Sequence, residues 1–183
     1  MKRLSILSVL VATPAMAHTG IDHVHTVTSG LLHPLLGADH LLAMVLVGVW
    51  AAVAGGNRLW VWPATFVGGM TLGALASSGG ATIAYIEPAI AASVIAFGLL
   101  AAMAVRAPIA LGAALIAAIG AAHGFAHGAE APAGSFAAYA SGFLFATAAL
   151  HLGGVLAVRL IGQRMARIAA AAGAVAGLAM VLA

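Results

Sequence analysis

Arg58 and Glu87 bracket a run with no charged side chain, and so do Glu87 and Arg106. Further uncharged runs fill 41–57, 107–129, 131–158 and 168–183. Only 6% of the chain is charged, against roughly 25% in an ordinary soluble domain. Such a chain cannot build a water-facing surface. It is not disordered either, because 64% of it is hydrophobic and disordered chains are poor in apolar residues. In lipid, every backbone N–H and C=O must be satisfied internally, and an apolar run of about 20 residues does this as a helix. The expected fold is therefore all-α: a polytopic, six-transmembrane-helix bundle.

The breaks between runs set the expected spans at 30–54, 59–77, 86–105, 109–127, 135–158 and 168–183, which together form one transmembrane domain over 30–183. Residues 1–17 read as a cleavable signal peptide. Met1-Lys2-Arg3 is a basic start, Leu4 to Val11 is apolar, and Ala15-Met16-Ala17 fits a small-x-small cleavage site. The apolar stretch is too short to cross about 30 Å of hydrocarbon. The mature chain would open with a His-rich tail, 18–29, on the far side of the inner membrane.

Charge placement supports that orientation independently. With His18 outside, the inner loops hold Arg58, Arg106, Arg159, Arg164 and Arg167, and the outer segments hold Asp22, Glu87 and Glu130. This is the positive-inside bias. The net charge of +3 therefore reports topology. Its basic residues are scattered, with no cluster interleaved with aromatics, so no nucleic-acid surface is expected. No nucleotide-binding motif is present, so no ATP is expected as a partner. Glycines recur every four residues at 69 and 73, at 120, 124 and 128, and at 173 and 177. Such stripes let helices approach closely in lipid, and would also permit contacts between copies in a homo-oligomer.

The chain has eight His and no Cys. Thiolate ligands and cysteine nucleophiles are excluded. His33, Asp39 and His40 stand at the start of the first span, where Pro34 and Gly37 suggest a broken helix that frees carbonyls and admits water. An Asp in the bilayer costs roughly 2.5–3.5 kcal/mol, more than a packing role would justify. Met44 shares a helix face with His40. Asp39 sits about 100° round the helix, placed to ligate or to orient a neighbouring imidazole. His123 and His127 lie at i,i+4 near the end of the fourth span, a spacing that lets two imidazoles hold one transition metal. Glu130 continues that face, Glu87 opens the third span, and His151 lies deeper in the fifth. The tail adds His18, His23 and His25 as loose accessory ligands. Imidazole with carboxylate suits a borderline divalent transition metal, and Met44 would add a soft donor for copper.

Several of these stretches resemble one family. The run His33-Pro34-x-x-Gly37-x-Asp39-His40-Leu41-Leu42-Ala43-Met44, continuing to Ala51, looks like the first transmembrane segment of the HupE/UreJ family. His123-Gly124-Phe125-Ala126-His127-Gly128-Ala129-Glu130 resembles its second motif. Glu87-Pro88 with Ser93, and Ser141-Gly142-Phe143 to His151-x-x-Gly154, resemble its third and fifth segments. The resemblance covers nearly the whole mature chain. It implies a non-enzymatic secondary permease for nickel, with cobalt as the second candidate, tied to hydrogenase or urease maturation. On this reading the tail captures the ion from the periplasm. A site of His33, Asp39, His40, His123 and His127 between the first and fourth helices receives it, and His151 offers a later step inward. The metal is cargo, with no permanently bound cofactor. Two other classes use similar residues: an intramembrane zinc hydrolase, although no HExxH is present, and a bis-His haem protein.

Overall fold

A computed structural model describes residues 27–78, 81–131 and 135–183. The signal peptide and the tail residues His18, Asp22, His23 and His25 lie outside the described residues. The described residues form six helices and no strand: α1 (Val27–Leu36), α2 (Ala38–Ala54), α3 (Arg58–Ser77), α4 (Ile86–Ala102), α5 (Ile109–Glu130) and α6 (Phe136–Leu182). α3, α5 and α6 are each long and apolar enough to cross a membrane. α4 is apolar and, with 17 residues, is about 25 Å long.

Two of the expected spans take a different form. The first is broken at Gly37, and α1 turns through 87° relative to α2. Gly37 has an extended backbone, so the α1 ladder cannot continue into α2. α1 starts at Val27 and packs across the beginning of α6, where Gly30 meets the Tyr139 carbonyl and Gly142 meets that of Val27. The fifth and sixth spans are the second case. No loop separates them: both lie within α6, which folds at one residue, Gly162 (φ 80°, ψ 157°). Its limbs, 136–161 and 163–182, both return to the middle of α2. Gly154 packs on Val45, and Gly173 faces the side chain of Leu46. Six segments therefore cross the bundle.

Glycine positions fix how they cross. α3 and α5 run parallel and nearly touch. Gly69 and Gly73 face the carbonyls of Ala117 and Ala121, and Gly120 and Gly124 face those of Phe66 and Met70. α2 runs parallel to the first limb of α6, with Gly48 against the His151 carbonyl. The second limb runs antiparallel to α4, through Gly98 beside Ala170 and Ala174 and Gly177 beside Val94. These directions place Asp39, Glu87 and Glu130 at one end of the bundle, the acidic end. Arg58, Arg106 and Arg167 gather at the other.

The arginine end is closed. Trp50 and Trp62 are fully buried, with ring centroids 4.0 Å apart. Phe97 lies 6.3 Å from both Trp50 and Phe66. The connection after α4 is tied down from three helices. Trp50 Nε1 donates to the Val105 carbonyl (2.9 Å), Arg58 Nε to Ala107 (2.9 Å) and Trp62 Nε1 to Ile109 (3.3 Å). Arg167 Nε donates to Ala102 (2.7 Å), one of the carbonyls left over at the end of α4.

Two glycine substitutions separate steric from backbone demands. Gly124→Ala places a methyl group on the Met70 backbone, and should destabilise the protein by about 1–3 kcal/mol through overpacking. Gly153→Ala meets nothing within 4 Å and should raise the melting temperature slightly, because alanine favours a helix interior over glycine by up to about 1 kcal/mol. Gly162→Ala also has open space around it, yet should cost about 1–3 kcal/mol because its φ/ψ belongs to glycine. Thermal unfolding of the purified protein in detergent checks all three.

Candidate metal site

The helix break at Gly37 builds the first part of the site. Asp39 falls in the first turn of α2, where unpaired backbone N–H groups favour a carboxylate. Its Oδ1 accepts from the His40 backbone N–H (2.7 Å) and from His40 Nδ1 (2.8 Å). Gly37 leaves room for this pair, because a Cβ there would sit 3.0 Å from both Asp39 Oδ1 and His40 Nδ1. The carboxylate thus holds the imidazole with Nδ1 protonated and Nε2 bearing its lone pair. That is how carboxylates commonly orient metal-binding histidines. Of the two roles open to Asp39 in the sequence, the geometry favours orientation.

α5 supplies the facing wall. His123 and His127 are both buried, at 0% and 1% exposure. Gly124, between them in sequence, rests on Met70, and this contact locks α5 in the rotation that sends both rings inward. His123 Nδ1 donates to the Ile119 carbonyl (3.0 Å). A carbonyl only accepts, so Nε2 again keeps the lone pair.

The five expected residues come together. The His40 ring centroid is 4.7 Å from that of His127 and 5.3 Å from that of His123. His33 reaches over from α1, with its ring 4.6 Å from that of His127 and 6.1 Å from that of His40. Glu130 joins them through an ion-pair contact of 3.5 Å between its Oε2 and His33 Nε2. One ligand atom from each of His33, His127 and Glu130 falls within 4.8 Å of the others, close enough to hold one ion. Glu130, an accessory residue by sequence, therefore belongs to the cluster proper. Glu87 does not: it is exposed in the first turn of α4. No hydrogen bond or ion pair joins it to the cluster among the described residues.

Burial grades along the cluster. The side chains of His33 and Glu130 are 25% and 32% exposed, whereas His123 and His127 are sealed. Nε2 of His40, Nε2 of His123 and both ring nitrogens of His127 are buried without a hydrogen-bond partner among the described residues. A buried imidazole nitrogen left unpaired costs about 1–3 kcal/mol. Several such nitrogens lie on rings packed close together, the kind of donor set that suits a transition-metal ion. Tyr139 and Phe143 complete the wall, with rings 5.7 Å from His33 and 5.0 Å from His127. Periodicity alone could not point to these two, because they read as ordinary apolar positions of a span.

The HupE / UreJ protein family model matches residues 6–182. The chain belongs to this family. A relative from Rhizobium leguminosarum bv. viciae, Protein HupE, is 38% identical over 177 residues, covering 93% of each chain. No solved structure matches significantly. The family match spans all six helices, so it includes both histidine-bearing faces and the break between α1 and α2.

Asp39→Asn keeps the shape of the side chain and removes its charge. It should lower the Ni2+ affinity of the purified protein by about 10–100-fold, as loss of an orienting carboxylate commonly does, with the melting temperature little changed. Equilibrium binding measured beside thermal unfolding checks this.

Proposed function

We propose that this chain is a secondary permease that carries a divalent transition metal, Ni2+ or else Co2+, inward across the bacterial inner membrane. The observation that carries the reading is the set of lone pairs from His40, His123 and His127, buried within a membrane bundle and graded toward partly exposed His33 and Glu130. Imidazole with carboxylate favours borderline divalent metals over Mg2+ and Ca2+. Membership of the HupE/UreJ family supports nickel or cobalt as cargo, in the service of hydrogenase or urease maturation.

In this mechanism the acidic end faces the periplasm, as the arginine distribution favours. An ion arriving from solvent meets His33 and Glu130 first. It exchanges its water shell for imidazole nitrogens as it passes to His127, His40 and His123. Asp39 supplies a negative charge that offsets desolvation of the cation without itself having to leave His40. The packed aromatics Trp50, Trp62, Phe66 and Phe97 seal the arginine end, so this conformation loads from the acidic end. Release requires those rings to part. The membrane potential favours inward movement by about 2.3 kcal/mol per charge for each 100 mV. Protons compete with the metal for the same lone pairs, so loading weakens as pH falls.

The ring packing also argues against a bis-His haem. Centroids only 4.6–5.3 Å apart leave no slot for a macrocycle between two of these imidazoles.

Uptake of radioactive nickel into cells expressing the protein tests the proposal. His40→Ala and Asp39→Asn should each reduce the rate at least about tenfold at equal protein level, the scale on which metal sites respond to such losses. Unchanged uptake in both variants would sink the mechanism. Retained uptake with another metal preferred would change only the identity of the cargo.

A further inference from the structure

Thr65 and Thr71 return their hydroxyl protons to helix carbonyls one turn back, on Val61 and Val67. This back-bond satisfies a hydroxyl locally. Thr147 makes a different choice. It is fully buried, and its Oγ1 reaches across the bundle to the Sδ of Met44 (3.3 Å) and the Sδ of Met70 (3.5 Å). A single hydroxyl proton cannot satisfy both, and a thioether is a weak acceptor in any case. One sulfur from α2 and one from α3 thus converge on a hydroxyl of α6, and both methionines are 0% exposed.

His151 stands one turn beyond Thr147 on the same face of α6. It is 2% exposed. Its Nδ1 donates to the Met44 carbonyl (2.6 Å), which leaves Nε2 with its lone pair. That nitrogen is buried and has no partner among the described residues. The group is separate from the imidazole–carboxylate cluster but adjacent to it. The Phe66 ring lies between them, 5.3 Å from the ring of His123 and 5.0 Å from that of His151.

We propose that Met44, Met70, Thr147 and His151 form a second, deeper station for a soft or borderline transition-metal ion, with two thioether sulfurs and one imidazole nitrogen as donors. Its place on a transport path rests on the permease reading above, whereas its binding chemistry does not. Thioether and imidazole donors suit soft and borderline ions and offer little to Mg2+, Ca2+ or Mn2+. The donors are all neutral, so a cation gains no charge compensation here. A station of this kind holds its ion less firmly than one with Asp39 and Glu130 at hand, which suits a step from which the ion must leave. It also adds a filter, because a hard cation drawn in by the carboxylates finds no oxygen-rich site to move on to.

The test uses the purified full-length protein and Ag+, a soft monovalent ion that favours thioether and imidazole donors. X-ray absorption should find sulfur beside nitrogen around the bound silver. The double variant Met44→Leu/Met70→Leu keeps the side-chain volumes nearly constant. It should weaken Ag+ binding at least about tenfold and remove the sulfur signal, while Ni2+ binding at the cluster persists and reports that the variant is folded. Met103→Leu, at a position 69% exposed, should leave the silver site intact. Silver bound by nitrogen alone in the unmodified protein overturns the proposal without recourse to any variant. So does an unchanged sulfur signal in the folded double variant. Unchanged nickel uptake in Asp39→Asn and His40→Ala would end the permease reading and leave the silver result standing.

Discussion

The near-contact of α3 and α5 is the constraint on which the rest of the bundle depends. Lipid gives no hydrophobic drive for helix association, so the helices must gain by close packing. Glycines at 69, 73, 120 and 124 let the two backbones meet carbonyl to Cα along several turns. This contact fixes the rotation of α5 about its axis. Once Gly124 rests on Met70, His123 and His127 have only the interior to occupy. The same contact holds Phe66 and Met70 of α3 against the centre. A packing rule thereby decides where the chemistry sits.

The second device is the break at Gly37. A continuous helix from α1 into α2 would carry His33 on along the bundle axis, away from His127. Turning the chain by 87° folds α1 over the acidic end and hangs His33 above the ring of His127. The break also exposes the N-terminus of α2, which stabilises the Asp39 carboxylate in a low-dielectric setting. That carboxylate then sets the tautomer of His40. Backbone carbonyls do the same for His123 and His151, from Ile119 and Met44 respectively. Three imidazoles thus engage their Nδ1 atoms and leave Nε2 unpartnered in the interior, as the proposed metal site requires.

Much of this was legible in the sequence. The uncharged runs announced helices, because no other local structure satisfies its own backbone in lipid. His123 and His127 at i,i+4, and Asp39 beside His40, announced a cluster, because ionisable groups are too costly to keep in a span for packing alone. Pro34 and Gly37 pointed to an irregular start of the first span. The fold at Gly162 was less visible: Arg159, Arg164 and Arg167 read as a polar loop, yet one glycine with positive φ is enough to reverse the chain and lets the arginines stay helical. Glu130 and Glu87 looked equivalent as accessory acids. Only the first comes into ion-pair reach of His33, since its helix carries it to the cluster while Glu87 faces outward at the start of α4.

Read along one helix at a time, the chain already specifies an all-helical membrane protein with imidazoles and carboxylates stationed in its spans. These properties follow from local composition and spacing, because hydropathy and ligand pitch are read along one helix at a time. Tertiary structure alone decided which donors meet. The gathering of His33 with Glu130, the separation of His123 from His151 by Phe66, and the convergence of Met44 and Met70 on Thr147 depend on the relative rotation of helices far apart in the chain. That rotation is set by interhelical packing, and no single span's pattern encodes it.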